Sequence, residues 1–322
     1  MSKVLIVGAG LVGTSFAYGL MQKGIVKEIV LYDIDEKRAL GEAMDLSHGV
    51  SFVRPVKIKA GSLEEAKDSD IVVITAGAKQ RPGETRLQLI DRNLNIFRDL
   101  IPQIVNTGFN GIFLVVTNPV DVLTYITWKL SGFPRNKVIG SGTVLDSSRF
   151  AYLLSQHCNI DPRSLSAFII GEHGDTSVAA WSLTHIGGVH ISEFCPICGK
   201  NCFSKDVMNE ILKEVRGSAY KIIEYKGATY YAIGLALVNI VEAILGDENR
   251  ILPVSSVHYD VLGIKDVPLS MPSIVNKNGI RKVLDVGLSD DEKEALITSA
   301  KTIRGVIDAL NMDRVEGDVS TI

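Results

Sequence analysis

Lys3-Val4-Leu5-Ile6-Val7-Gly8-Ala9-Gly10-Leu11-Val12-Gly13 is an apolar run, then glycines at G-x-G-x-x-G spacing, then the opening of an amphipathic stretch. That order reads as a buried strand feeding a helix. Gly8 permits the tight turn, Gly10 lets backbone approach a pyrophosphate, and Gly13 lets the helix lie close to the sheet. The free N–H groups at the helix start would take the pyrophosphate. A second strand-like run, Glu28–Tyr32, leads to Asp33, 20 residues beyond Gly13. A carboxylate there can accept from both ribose hydroxyls and would repel a 2′-phosphate, which favours NAD over NADP. Arg38, slightly downstream, softens that preference and joins the expected cofactor contacts. Helix-packing glycines and a turn aspartate are the plainer reading of these residues. The strand–turn–helix setting favours the dinucleotide.

Working outward, the runs Val56–Lys59, Ile71–Thr75, Ile112–Thr117 and Lys137–Ile139 are rich in Val and Ile and alternate with helix-like segments. Nearly continuous apolar runs of this kind belong to parallel strands covered on both faces. After Ser141 the rhythm changes. Helical patterns follow at Leu145–Cys158, Lys205–Tyr225, Tyr231–Leu245 and Asp291–Leu310, with β-like runs between Ile251 and Leu288. The expectation is an α/β chain: a Rossmann-type doubly wound parallel sheet over 1–142, then an α+β catalytic domain over 143–322. Sites should lie in the crevice between the two.

Composition narrows the function classes. Apolar residues are 46% and charged residues 22% of the 322, which excludes a disordered chain. Thirty-four basic against 37 acidic residues leave a net charge of −3, with no electrostatic footprint for nucleic acid or an anionic membrane. No run approaches the roughly 18 apolar residues of a membrane span. No export signal precedes Val4, and 4 cysteines in 322 residues are not a disulfide scaffold. The expected location is the cytoplasm.

Three further segments carry chemistry: Ala78-Lys79-Gln80-Arg81-Pro82-Gly83-Glu84-Thr85-Arg86; Asn118-Pro119-Val120-Asp121 with Asp146-Ser147-Ser148-Arg149; and Gly171-Glu172-His173-Gly174-Asp175. Each has a bland reading. His173 after an apolar strand could be structural, Asp146 and Arg149 could be an i,i+3 pair worth a few tenths of a kcal/mol, and Arg86 could be a solvated helix-start charge. Together, however, these segments closely resemble the L-lactate/malate dehydrogenase family, in particular its bacterial L-lactate dehydrogenases. The resemblance runs from about Lys3 to Leu310.

That resemblance implies an NAD-dependent interconversion of pyruvate and L-lactate, as in glycolysis and fermentation. His173 would be the acid/base, since an imidazole changes charge near neutral pH. Asp146 would fix its tautomer, Arg149 would take the substrate carboxylate with its planar fork, and Arg86 would meet the developing charge on the carbonyl oxygen. Asn118 would bond the same oxygen and help seat the nicotinamide. The remaining implied cofactor contacts are Val12, Gly77, Ala78, Val116, Thr117 and Ser141. The family's usual assembly is a homotetramer, with a dimer as the alternative.

Specificity is expected to rest on Gln80, where the family's malate enzymes carry an arginine for a second carboxylate. Thr229 would form the other wall. A malate or bulkier 2-hydroxy acid dehydrogenase is the alternative reading. Lys79–Gly83 has the composition of a lid. Ala151 and Ser166 stand where many bacterial members place the Arg and His that bind fructose 1,6-bisphosphate, so little activation by that sugar is expected. Cys195, Cys198 and Cys202 hint at zinc, with His190 as a further ligand. A surface loop of incidental thiols, without a metal, is the favoured reading.

Overall fold

The computed structural model describes residues 2–78, 86–198 and 204–310, with the backbone alone at 86–88 and 195–198. Along the first part run β1 (Lys3–Val7), α1 (Leu11–Lys23), β2 (Glu28–Tyr32), α2 (Glu36–His48), β3 (Lys57–Ala60), β4 (Ile71–Ile74), α3 (Arg86–Asn106), β5 (Ile112–Val115), α4 (Val120–Ser131) and β6 (Val138–Gly140). Then come α5 (Val144–Cys158), β7 (Leu165–Ser166), β8 (Ile169–Ile170), β9 (Val178–Ala179), β10 (His185–Ile186), β11 (Val189–His190) and α6 (Ile191–Cys198). The chain continues through α7 (Lys205–Lys226), α8 (Tyr231–Leu245), β12 (Arg250–Val261), β13 (Ile264–Asn276), β14 (Gly279–Val283) and α9 (Asp290–Ala309).

β1 to β6 form the parallel half of the main sheet in the order β6-β5-β4-β1-β2-β3. The order reverses between β1 and β4, which is the topological switch point of a Rossmann-type fold. Burial explains the run composition. Val4 and Ile6 enter one apolar cluster with Phe16 and Leu20 of α1 and Leu237 and Ile240 of α8. Leu5 and Val7 enter the opposite cluster with Phe97 of α3, Leu123 of α4 and Ile303 of α9. Each buried Leu, Ile or Phe of this kind is worth about 1.5–3 kcal/mol.

The second part carries two small antiparallel sheets, β11-β10-β7 and β8-β9, and it also extends the main sheet. β12 pairs antiparallel with β6 through Ser255 and Gly140, and β13 and β14 follow outward. A single sheet thus crosses residue 142, while Phe150, Leu154, Trp181, Ile191 and Val215 form their own cluster to one side. Some expected ends move. β3 starts at Lys57 because its ladder with β2 begins at the Glu28–Lys57 pair. β5 stops at Val115, since Val116 and Thr117 both turn their N–H groups back to the Ile74 carbonyl. The segment before Cys198 is a helix rather than a surface loop, anchored by fully buried Ile191. Among the described residues, no helix is long and apolar enough to cross a membrane.

Candidate active site

The carboxyl ends of the parallel strands supply the first half of the site. Gly8 has φ +109°, and a Cβ there would lie 2.6 Å from the Ala76 nitrogen, so only glycine lets the β1 turn lie against the β4 turn. A Cβ on Gly13 would lie 2.0 Å from the Gly8 oxygen, whereas one on Gly10 would meet nothing within 4 Å. The loop is therefore closed toward the protein and open at Gly10, the N-cap of α1, where no side chain takes the free N–H groups. Asp33 directly follows β2, and its carboxylate accepts from the Ala9 N–H at 2.8 Å and the Asp35 N–H at 3.0 Å. This open cradle with a fixed carboxylate beside it fits a dinucleotide.

The neighbouring turns are locked to one another. Asn93 of α3, 1% exposed, accepts from the Ala78 N–H at 2.7 Å and donates to the Asn118 carbonyl at 2.9 Å. Thr117 Oγ1 donates to the Ala76 carbonyl at 2.7 Å, and a Cβ on Gly77 would lie 2.3 Å from Thr117 Cγ2. Ser141, just after β6, donates its N–H to Val115 at 2.8 Å. Val12 and Val116 lie in the apolar cluster beneath the cradle. Arg38 is exposed in the first turn of α2.

The second half of the site brings distant residues together. His173 Nδ1 and Asp146 Oδ2 are 2.5 Å apart, and Arg149 donates to the other carboxylate oxygen at 2.8 Å. Asp146 and Arg149 stand one turn apart in α5, whose position against β8 is fixed by Ser147, the Oγ of which accepts from the Ile169 N–H at 2.9 Å. The His173 loop is held from three other elements. Gly171 and Ser270 of β13 exchange backbone bonds at 2.9 Å, Ser299 of α9 accepts from the Glu172 N–H at 2.8 Å, and Asp121 of α4 accepts from the His173 N–H at 2.7 Å.

Charge follows from this geometry. Burial pulls the His173 imidazole down, but the Asp146 carboxylate, helped by Asp121, pushes it the other way to about 9. Burial alone would raise Asp146, yet His173 and Arg149 hold it below the usual carboxylate range. With Nδ1 committed to a carboxylate, which can only accept, Nε2 is the nitrogen left for another partner. A cavity of about 460 Å³ opens there, lined among others by Asn118, Asp146, Arg149, His173, Arg216 and Tyr220. Larger cavities of about 780 and 1230 Å³ lie against α1–α8 and against β12–β14, away from this acid–base pair.

Residues 2–140 match the lactate/malate dehydrogenase NAD binding domain and residues 143–312 the alpha/beta C-terminal domain of the same family. The chain belongs to the lactate/malate dehydrogenase family. The L-lactate dehydrogenase 1 of Clostridium acetobutylicum is 52% identical over 309 residues, covering 96% of this chain and 98% of that one. The L-lactate dehydrogenase of Thermoanaerobacterium saccharolyticum is 52% identical over 312 residues, 97% of this chain and all of its own. Among solved structures, the minor L-lactate dehydrogenase of Enterococcus mundtii in a ligands-bound form superposes with TM-score 0.93 at 40% identity, over 97% of this chain and 99% of that one. A lactate dehydrogenase from a deep-sea metagenome superposes at 0.92 with 45% identity, over 95% and 98%.

Within this lactate/malate dehydrogenase, the expected residues distribute unevenly. Asn118, Asp146, Arg149 and His173 share one cavity. Thr229, half-buried in the connection between α7 and α8, is not among the side chains lining it. The wall beside His173 is formed instead by α7 with Val215, Ala219, Tyr220 and Ile223, because that helix runs on to Lys226 before Gly227 caps it. Arg86 is the first residue of α3; its side chain, Gln80, the Lys79–Gly83 segment and the thiols of Cys195, Cys198 and Cys202 lie outside the described residues. Sequence reasoning missed Asn93 and Arg216 as parts of the site and gave Asp121, quoted beside Asn118, no role. Asp121 sits in an otherwise apolar helical run, a signal that could have marked it, whereas Asn93, among Asp91, Arg92 and Asn95, carries no such signal.

Proposed function

We propose that this chain is an NAD-dependent L-lactate dehydrogenase, interconverting pyruvate + NADH + H⁺ and L-lactate + NAD⁺. The observation that carries the reading is the 2.5 Å contact between Asp146 and His173 beside Arg149 and Asn118 in one cavity. The near-full-length L-lactate dehydrogenase relatives support the substrate.

NADH, when bound, supplies the hydride. His173 gives its Nε2 proton to the carbonyl oxygen. An imidazolium held up to about 9 is largely charged at neutral pH and therefore ready to act as the acid. Asp146 keeps the ring in place and balances its charge, as a carboxylate does beside the histidine of hydrolytic triads. Arg149 spends one N–H on Asp146, which leaves the rest of its fork for the substrate carboxylate. Asn118, and Arg86 from the start of α3, meet the carbonyl oxygen as charge develops there. Gly8, Gly10, Val12, Gly13, Asp33, Arg38, Gly77, Ala78, Val116, Thr117 and Ser141 hold the cofactor.

Gln80 meets the substrate methyl, and Thr229, whose side chain does not line the cavity among the described residues, is the further residue that the family resemblance implies for that wall. Arg216, a second guanidinium at the cavity, donates to the Ser177 carbonyl and feels the charges of Asp175 and Glu172. The assembly is a homotetramer, the location the cytoplasm and the domain division lies at 142/143.

The test is kcat/KM for pyruvate and oxaloacetate with NADH in one buffer. A preference for pyruvate of about 100-fold, or about 2.7 kcal/mol of transition-state discrimination, is expected. Gln80→Arg should shift that ratio toward oxaloacetate. A wild-type ratio near one refutes the assignment of substrate, and an unmoved ratio in the variant refutes Gln80 as its reader.

A further inference from the structure

Asp121 takes no part in the reaction as proposed, yet it is among the most deeply placed acids of the chain. It sits in the first turn of α4, three residues after Asn118, and only 3% of it is exposed. One carboxylate oxygen accepts from the His173 N–H at 2.7 Å, and the other accepts from Ser255 Oγ at 2.5 Å. Ser255 is itself fully buried on β12, at the residue that pairs with Gly140 where the antiparallel strands join the parallel ones. Asp121 therefore ties together α4 from the first part of the chain, the catalytic loop and the strand at the seam.

A buried carboxylate costs several kcal/mol in desolvation unless its lone pairs are used. Two donors do not fully offset that cost here. Burial raises the Asp121 carboxyl to about 6, against the hydrogen bonds from Ser255 and His173 and the attraction of the imidazolium, with the Glu172 charge pushing the same way as burial. A neutral bond acceptor would serve the backbone of His173 at lower cost. What only a carboxylate provides is a second negative charge near the imidazole, in addition to that of Asp146.

We propose that Asp121 is a positioning residue of the reaction: it holds the backbone of the His173 loop, braced by Ser255, and its charge helps Asp146 keep the imidazole protonated for pyruvate reduction. The inference rests on His173 being the acid/base. The groups acting on this pair are Asp146 and Arg149 from α5, Glu172 within the loop and Ser255 from β12. Asp121 ionises as pH rises through about 6. Between that point and the His173 transition near 9, both groups are charged and the support is present.

Asp121→Asn separates charge from shape, because the amide can keep its oxygen toward the His173 N–H and its NH₂ toward Ser255. The measurement is the pH profile of kcat/KM for pyruvate, with NADH affinity followed by its fluorescence on the whole enzyme. The expected result is an alkaline limb moved down by about half a unit to one unit, NADH affinity unchanged within about twofold, and Asp121→Ala losing about tenfold or more in kcat. Ser255→Ala is the second variant. It removes the brace on Asp121 while leaving its charge near the imidazole, so kcat should fall about threefold or more with the alkaline limb in place and NADH affinity unchanged. An Asp121→Asn profile that overlays the wild type, or a Ser255→Ala kcat equal to that of the wild type, overturns the proposal; if Asp121→Asn does not fold, the Ser255→Ala kcat alone decides it. A wild type without pyruvate reductase activity would instead refute the reading of the site on which the inference stands.

Discussion

The glycine cradle and the acid–base pair are built in opposite ways. The cradle is almost all backbone, contiguous in the chain, and shaped by what a side chain would collide with: Gly8 against Ala76 and Gly13 against Gly8. The pair is all side chain and charge, drawn from α5 and a loop 27 residues apart, with struts from α4, β13 and α9. A site that grips a cofactor can rely on fixed dipoles and close approach. A site that moves a proton needs groups whose ionisation the fold has set. Damage should therefore show as lost affinity at one end and lost turnover at the other.

The largest expected effect tests that division. His173→Gln should lower kcat/KM for pyruvate by about 10³-fold, while NADH affinity by fluorescence titration stays near wild type. Loss of both together would break the comparison. Next, Gly13→Ala should cost about 1–3 kcal/mol of stability, because its Cβ would lie 2.0 Å from the Gly8 oxygen. Gly10→Ala has open space around its Cβ, so its melting temperature should be unchanged while its KM for NADH rises. Equal melting temperatures for the two variants would show that the loop is not closed toward the protein.

Stability against pH is a finer probe of the pair. The His173 pKa is raised from 6.5 to about 9, so its contribution is fully present below about 6.5 and is lost as pH rises through about 9. The Asp146 pKa is lowered, so its contribution is present at neutral pH and is lost in acid. The gap in melting temperature between wild type and His173→Gln should thus be widest near pH 6 and close by about pH 10. A gap that stays constant across that range would mean the imidazole is not held charged. The smallest effect concerns fructose 1,6-bisphosphate, which should leave the KM for pyruvate unchanged within about twofold, given Ala151 and Ser166. A large drop in KM would show other residues binding it.

The same contrast explains what could be read beforehand. β1, the glycine turn and the start of α1 are local, so spacing and apolar content placed β1 to the residue and marked where a helix opens. The acid–base residues were recognisable only through family resemblance, because nothing in the order of the chain says that His173 meets Asp146. The strut from Asp121 to Ser255 spans 134 residues, and no periodicity reports such a bond. Nor does the seam between β6 and β12 have a local signal, since one antiparallel pair decides it. Thr229 illustrates the reverse, a position implied by resemblance whose side chain does not line the cavity among the described residues.

The place of α9 has a consequence for how the molecule is made. Its apolar side, with Leu296, Ala300, Ile303 and Ile307, closes the cluster that Leu5, Val7 and α4 begin. During synthesis, α4 leaves the ribosome well before the residues that will cover its flank. At about 5–20 residues per second, the interval between residues 131 and 309 is on the order of ten seconds or more. Throughout that time the half-finished chain carries an oily flank in water. The nascent protein is then a natural client for a holding chaperone, and a message stalled before residue 290 would yield a sticky product.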